Sequence, residues 1–187
     1  MADKEPFIFS DLALARRLEK TEARANAEFV EARASAFPEL GAQWIEVAGA
    51  YAMYDGIDSP LTQTFGLGMF QPITSAELER IEGFFQERGA PVLHEVSPLG
   101  DPGVLVLLNQ RGYQPLEFTS VMFRQIQRGV RYATPRNGNI RVRMVGADEH
   151  DLWAQTAVKG WSEVPDLAGV MLELSQVSAK RPEALSF

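Results

Sequence analysis

Cysteine is absent from the 187 residues of the chain, which excludes disulfides, thiolate metal sites and cysteine nucleophiles. Histidine is scarce, with two residues, and no metal-ligand spacing, Ser-His-Asp set or Walker-type loop is present. No apolar run approaches the ~20 residues that a membrane-spanning helix needs, and the N-terminus is charged rather than signal-like. We therefore expect a cytoplasmic protein that holds no metal and does not enter a membrane.

Basic residues are outnumbered, since 18 Lys and Arg stand against 25 Asp and Glu and leave a formal net charge of −7. This balance argues against nucleic acid as the main partner. The charge is unevenly spread, because residues 124–143 contain six arginines and no acid. A solvated linker is the simpler explanation of these arginines, and a pocket for an anionic ligand or an acidic partner is the alternative.

Helix signals are clear in the first two thirds of the chain. Asp11 caps a long amphipathic stretch that runs to Phe37. Thr74–Glu77 is a capping-box sequence, and Asp101 followed by proline opens a third helix, for which Gly112 is the stop. The sequence thus predicts three helices before residue 113.

Strands are predicted between these helices. Residues 44–54 and 61–70 are apolar stretches joined by a turn-rich loop at 55–60, residues 92–96 form a short apolar run, and residues 115–126 form a long one. The predicted order of elements from the N-terminus is therefore α, β, β, α, β, α, β.

A second pattern follows residue 126. Glycine, proline and asparagine indicate a linker at 127–138, after which residues 140–145 alternate as a strand does. Asp148 is the predicted cap of a helix that carries Trp153, Ala157 and Trp161, Pro165 and Asp166 start another, and residues 184–187 resemble the start of a strand. The predicted domains are residues 1–126, a linker at 127–138 and an incomplete unit at 139–187.

The order of helix, strand, short helix with L-x-x-x-G-aromatic (Leu108–Tyr113) and long strand in residues 76–126 resembles the second half of the GNAT superfamily of N-acetyltransferases. Residues 138–187, which contain IRVRMVGADEHDLWAQTAVKGW, are similar to the opening strand and paired helices of another GNAT domain. The resemblance implies a tandem protein whose second domain continues beyond Phe187. It also implies a mixed α/β fold with a curved mixed sheet flanked by helices, as in acyl-CoA N-acyltransferases.

For function, the resemblance implies transfer of an acetyl group from acetyl-CoA, as co-substrate, to a small-molecule or peptide amine. Family members hold the pyrophosphate of acetyl-CoA in a Q/R-x-x-G-x-G/A loop at the start of a helix, where free N–H groups and the helix dipole suit an anion. Gln63, Gly66 and Gly68 match that loop, which makes them the candidate cofactor-binding residues. The alternative is that the glycines occupy a close-packed place in a strand, since residues 69–73 separate them from the helix cap at Thr74.

The same resemblance leaves the first domain short of catalytic groups. Family members often have a tyrosine as proton donor at the first position of Y-x-x-x-G-F, where this chain has Leu108, and Tyr113 matches only the packing aromatic. An asparagine is also often present nearby, where the chain offers Asp101. Glu46 is the one catalytic candidate, because a strand position of this fold can aim a carboxylate at an amine, with an exposed strand face as the alternative. His94 is better explained as a structural residue.

Two functional hypotheses follow. The intact protein is a GNAT-type acetyltransferase with a degraded first domain, or the first domain is a non-catalytic module that stabilises the second domain or shapes its acceptor site. We also expect self-association, because the incomplete second unit leaves an apolar edge exposed at Ile140, Val142, Met144, Trp153 and Leu174.

Overall fold

The structure is a computed structural model that describes residues 9–126, 137–161, 163, 168–181 and 184–187. Its helices are α1 (Leu12–Ala36), α2 (Ser75–Gln86), α3 (Pro102–Gln110), α4 (His150–Lys159) and α5 (Ala168–Lys180), with short 3₁₀ turns at Pro38–Leu40 and Ala147–Glu149. Its strands are β1 (Gln43–Val47), β2 (Ala50–Tyr54) and β3 (Thr64–Phe65), which form one antiparallel sheet in the order β1-β2-β3. The expectation of a mixed α and β protein is confirmed at this level.

The helix starts lie where the sequence signals placed them. The Asp11 side chain accepts a hydrogen bond from the Leu14 N–H at 2.8 Å. Thr74 and Glu77 exchange side-chain and backbone hydrogen bonds in a complete capping box, and Asp101 caps α3 by accepting from the Gly103 N–H at 2.8 Å. Each cap satisfies N–H groups that the first helical turn leaves without a partner.

Residues 44–54 are a hairpin, so the prediction of a single strand there is wrong. β1 and β2 pair antiparallel, with Val47 opposite Ala50, and the two turn residues Ala48 and Gly49 both have positive φ (50° and 78°). Two-residue hairpin turns favour positive φ at both central positions, but Ala-Gly lacks the Asn or Asp that usually signals such a turn.

Two further predicted strands are much shorter than expected. In the stretch 61–70 only Thr64–Phe65 pairs with β2, and in 92–96 a single parallel bridge joins His94 to Thr64. The bridge is held by the Thr64 N–H donating to the Leu93 carbonyl at 2.9 Å and the Glu95 N–H donating to the Thr64 carbonyl at 2.8 Å. The ladder ends after Phe65 because the chain turns away from β2 at the next residue.

Helices pack on both faces of the sheet. Side chains of Tyr51, Met53 and Phe65 form one buried cluster with Ala23, Ala27 and Val30 of α1. The opposite face carries a second cluster that joins the sheet to α2 and α3, and its members are Val47, Ala50, Ala52, Leu67, Leu78, Ile81, Phe84, Phe85, Ala90, Val104 and Leu108. Alternate residues of β2 thus face different helices, as the period of a strand requires.

Residues 115–126 are not a strand, contrary to prediction. Phe118 and Met122 are each 92% exposed, and no other described segment pairs with this stretch. Residues 140–145 likewise form no strand, although the Val145 N–H donates to the Ser186 carbonyl at 2.9 Å. A strand is stable only beside a hydrogen-bonded neighbour, so an alternating pattern alone does not produce one.

The C-terminal helices differ from prediction at their ends. The 3₁₀ turn that contains Asp148 precedes α4, which starts at His150 and ends at Lys159, so Trp161 lies outside the helix. The predicted linker lies outside the described residues apart from 137–138, and so does the predicted start of the second helix at Pro165 and Asp166. Residues 184–187, where the start of a strand was predicted, form no strand with any described segment.

Candidate functional site

The glycines of the predicted cofactor loop lie in a tight turn, which we call the glycine turn (Gly66–Met69). Gly66 and Gly68 both have left-handed backbone conformations, with φ of 73° and 68°, and the Met69 N–H donates to the Gly66 carbonyl at 3.1 Å. The Asp101 N–H donates to the Gly68 carbonyl at 2.9 Å. The glycine turn therefore lies against the start of α3, whereas the family resemblance implied a helix directly after the loop.

Packing explains why both positions are glycine. A Cβ at Gly66 would lie 2.8 Å from Cε2 of the Phe70 ring, and a Cβ at Gly68 would lie 2.0 Å from Cγ2 of Val104. Both residues are buried, and the positive φ adds a second reason to exclude other side chains. The close approach that glycine permits is used by the protein's own side chains, which agrees with the close packing of the alternative, although both glycines lie in a turn after β3 and not in a strand.

Gln63 and the start of α2 are also engaged locally. The Gln63 side-chain amide donates to the Pro60 carbonyl at 3.1 Å, and its backbone N–H donates to the Leu61 carbonyl at 2.9 Å. α2 begins only at Ser75, and the Glu77 carboxylate at its first turn accepts from the Thr74 N–H at 2.8 Å. Because this carboxylate is negative, it would disfavour a phosphate at the same helix end.

A shallow cavity of about 230 Å³ lies beside the glycine turn, between the starts of α1 and α3. It is smaller than the roughly 300–1,000 Å³ of common ligand pockets. Arg16 of α1 is the basic side chain in its wall, and its Nε donates to the Met69 carbonyl at 2.9 Å. Asp101 lines the same cavity, so the wall carries both signs of charge.

The position of the family's proton donor holds an apolar side chain. Leu108 is buried in the cluster between the sheet and the α2–α3 layer. The Tyr113 hydroxyl donates to Glu82 Oε1 at 3.0 Å, and burial together with this partner raises the pKa of Tyr113. Glu82 also pairs with Arg111 at 2.5 Å. Tyr113 therefore stays protonated at neutral pH and joins α3 to α2, which is a structural role.

Glu46 stands apart from the glycine turn. It is exposed on β1, opposite Tyr51 in the ladder, and β2 separates it from the β3 strand that leads into the turn. Gln63, Gly66 and Gly68 lie near one another because they are close in sequence, and Glu46 is not brought to them. The exposed strand face is the explanation that the geometry supports.

His94 is shielded. Its ring lies 5.0 Å from that of Tyr113, and neither ring nitrogen has a hydrogen-bond partner among the described residues. The Thr64 hydroxyl, directly across the parallel bridge, is also buried without a partner there. Burial lowers the pKa of His94 to about 4, so the imidazole is neutral at pH 7.

Comparisons with protein-family models, with curated proteins and with solved structures found no match to this chain. Membership in the GNAT superfamily therefore stays a prediction that rests on the order of elements and the short motifs. In the part of the chain that the structure describes, no helix is both long and apolar enough to cross a membrane. No group of acidic and histidine side chains in that part is placed to hold a metal ion.

Sequence reasoning missed a group of acids at the α1 surface. Burial, together with the negative charges of Glu95 and Glu22, raises the pKa of Glu19 to about 7. Burial and the charges of Glu22 and Glu117 also raise the pKa of Glu95. These carboxylates come from three separate stretches of chain, so no local pattern signalled that they would be neighbours.

It also missed a buried ion pair. Arg33 of α1 is 8% exposed, and its Nε lies 3.2 Å from Oδ1 of Asp55, which is 1% exposed and stands in the loop after β2. Arg33 Nη2 also donates to Glu173 of α5 at 2.9 Å. A second pair joins Arg181, the residue after α5, to Glu28 of α1 at 3.5 Å. Helix α5 in the C-terminal part of the chain thus contacts α1 in the N-terminal part.

Proposed function

We propose that this chain is part of a GNAT-type N-acetyltransferase in which residues 9–126 form a non-catalytic module that supports the C-terminal segment. The observation that carries the supporting role is the contact of α5 with α1, in which buried Arg33 binds Glu173. Helices on both faces of a sheet are consistent with the GNAT resemblance of the sequence.

The proposed reaction moves an acetyl group from acetyl-CoA to a small-molecule or peptide amine. The amine nitrogen attacks the thioester carbonyl, the C–N bond forms and the C–S bond breaks. The amine loses a proton, and the CoA thiolate takes one up. Residues 9–126 lack the groups that such a step uses, since Leu108 replaces the proton donor and Tyr113 is held by Glu82.

Binding of acetyl-CoA to the first module is also disfavoured. Phe70 and Val104 fill the space beside the two glycines, and the start of α2 is closed by its own capping box. The nearby cavity is small and is lined by Asp101 as well as Arg16. We therefore assign this module a supporting role, which it exerts through the contact of α1 with α5.

Calorimetric titration of acetyl-CoA into the chain tests the proposal. We expect no binding at the glycine turn, so wild type, Arg16→Gln and the matched control Arg17→Gln, an exposed neighbour on the same helix, should give the same heat. Binding that is present in wild type and Arg17→Gln but lost in Arg16→Gln would place acetyl-CoA in the cavity. That result would contradict the proposal that the module takes no part in binding the co-substrate.

An activity assay adds a second test. Because the chain has no cysteine, a thiol reagent detects CoA released from acetyl-CoA without a background from the protein. Any release stimulated by an amine should be unchanged in Glu46→Gln, since Glu46 is exposed and remote from the glycine turn. A large loss of turnover in Glu46→Gln would assign catalysis to the first module and contradict the proposal.

A further inference from the structure

One guanidinium group is shared between two carboxylates at the contact of α1 and α5. Arg33 lies 3.2 Å from Asp55 Oδ1 through Nε and 2.9 Å from Glu173 Oε2 through Nη2. The Arg33 and Asp55 side chains are buried, whereas the Glu173 side chain is 53% exposed. With all three groups ionised, this site has one positive charge for two negative charges.

Asp55 is held in place from several sides. The Ser59 hydroxyl donates to its Oδ2 at 2.6 Å, and its backbone N–H donates to the Thr62 hydroxyl oxygen at 3.0 Å. Among the described residues, the charged groups that act on it are Arg33 from α1 and Glu173 from α5. Burial and the charge of Glu173 raise the pKa of Asp55, while Ser59 and Arg33 oppose that increase.

We infer that protonation of Asp55 and docking of α5 on α1 favour each other, because both act through Arg33. The inference rests on the supporting role proposed above and adds a pH response to it. When Asp55 is ionised, its charge offsets that of Arg33, and Glu173 meets a nearly neutral pair. When Asp55 is protonated, the positive charge of Arg33 is available to Glu173 alone.

Thermodynamic linkage fixes the direction of the pH effect. If Asp55 holds its proton more strongly when α5 is docked, the docked state binds more protons than the undocked state. Docking is then strongest at low pH and weakens as the pH rises through the raised pKa of Asp55.

Amide hydrogen exchange at pH 7.5 tests the coupling, with Asp55→Asn standing for the protonated carboxyl. Exchange in α5, residues 168–180, reports docking, and exchange in α2, residues 75–86, reports the integrity of the module. We expect α5 exchange about two- to fivefold slower in Asp55→Asn than in wild type, the range that one partly exposed ion pair supplies. In a Glu173→Gln background the substitution should have no effect on α5.

Arg181→Gln is the matched control, because it removes the ion pair between Glu28 of α1 and the residue that follows α5 but does not touch Asp55. It should speed exchange in α5, yet leave the effect of Asp55→Asn intact. Equal α5 exchange in wild type and Asp55→Asn, or an effect that persists with Glu173→Gln, would overturn the inference. If the amides of α5 exchange without protection in wild type, α5 does not dock on α1, and that result would contradict the proposed supporting role as well.

If Asp55→Asn also changes exchange in α2, the variant has altered the module itself, and a measurement of pH dependence without this substitution takes its place. Exchange in wild type and Glu173→Gln is then measured from pH 5 to pH 8 and corrected for the intrinsic pH dependence of exchange. Wild type should show greater protection of α5 at pH 5 than at pH 8. The same pH trend in Glu173→Gln would overturn the inference.

Discussion

The shielded His94 makes a quantitative prediction about stability and pH. Burial holds its pKa at about 4 in the folded protein, against 6.5 for an unperturbed imidazole. Between these values the unfolded chain binds a proton that the folded chain does not bind. Stability is therefore fully present above pH 6.5 and is lost as the pH falls toward the folded pKa.

The size of the loss follows from the two pKa values. A separation of about 2.5 pKa units at 1.36 kcal/mol per unit gives about 3.4 kcal/mol in total. Of this, about 1.4 kcal/mol is lost by pH 5.5 and about 2.6 kcal/mol by pH 4.5, which is a large share of the stability of an ordinary domain.

The assay is urea unfolding of wild type and His94→Phe at pH 7.5, 5.5 and 4.5. Phenylalanine keeps a ring beside Tyr113 and removes two nitrogens that have no described partner, so the variant should be near wild type in stability at pH 7.5. Taking the difference between the two proteins at each pH cancels the contributions of the other titrating groups.

We expect that difference to shift in favour of the variant as the pH falls. A difference that stays constant from pH 7.5 to pH 4.5 would refute the reasoning, since it would mean that the imidazole takes up its proton equally in both states. His94→Asn repeats the test with a smaller side chain in case the phenylalanine does not fit.

Three further predictions concern other parts of the molecule. The pKa of Glu19 is raised to about 7 in the folded protein, so its contribution to the free energy of unfolding is present at low pH and is lost as the pH rises through 7. In thermal unfolding, the stability of Glu19→Gln relative to wild type should therefore be greater at pH 8 than at pH 5. Gly68→Ala should lower the free energy of unfolding more than Gly112→Ala, because both positions have positive φ but only a Cβ at Gly68 would contact Val104, at 2.0 Å. Chemical unfolding should give a difference of roughly 1–3 kcal/mol between the two variants. Equal losses would show that the glycine turn is loosely packed. The exposed apolar segment around Val142, which is 74% exposed, should cause self-association that rises with concentration in sedimentation velocity and falls in Val142→Lys, whereas a monomer at all concentrations would contradict it.

The starts of α1, α2 and α3 could be predicted from the sequence because their caps are local. Asp11, Thr74 and Asp101 each accept a hydrogen bond from an N–H group two or three residues further along the chain. The residues that form each cap are therefore all visible in one short stretch of sequence. The strands depend on distant partners, and their prediction was poor. Residues 115–126 have the composition of a strand, but no described segment pairs with them, and β3 is only two residues long.

The ion pair at Arg33 could not be predicted from the sequence either, because its partners are distant along the chain. Asp55 follows Arg33 by 22 positions, and Glu173 follows it by 140. Nothing in the spacing of these charges distinguishes them from the solvated charges elsewhere on α1. Only the packing of the β2–β3 loop and of α5 against α1 brings the three groups together, and no local sequence pattern encodes that packing.

The glycine turn shows why a motif can match a functional pattern and still have a structural cause. A loop that cradles a phosphate and a turn that packs against a helix both require positions without a Cβ, so Gln63, Gly66 and Gly68 fit either one. What separates them is the occupant of the space that a Cβ would enter. Here that space holds Val104 and Phe70, two side chains of the same module, and the turn is held to α3 by a hydrogen bond from Asp101 to Gly68. The packing of these two side chains is therefore enough to explain why positions 66 and 68 are glycine.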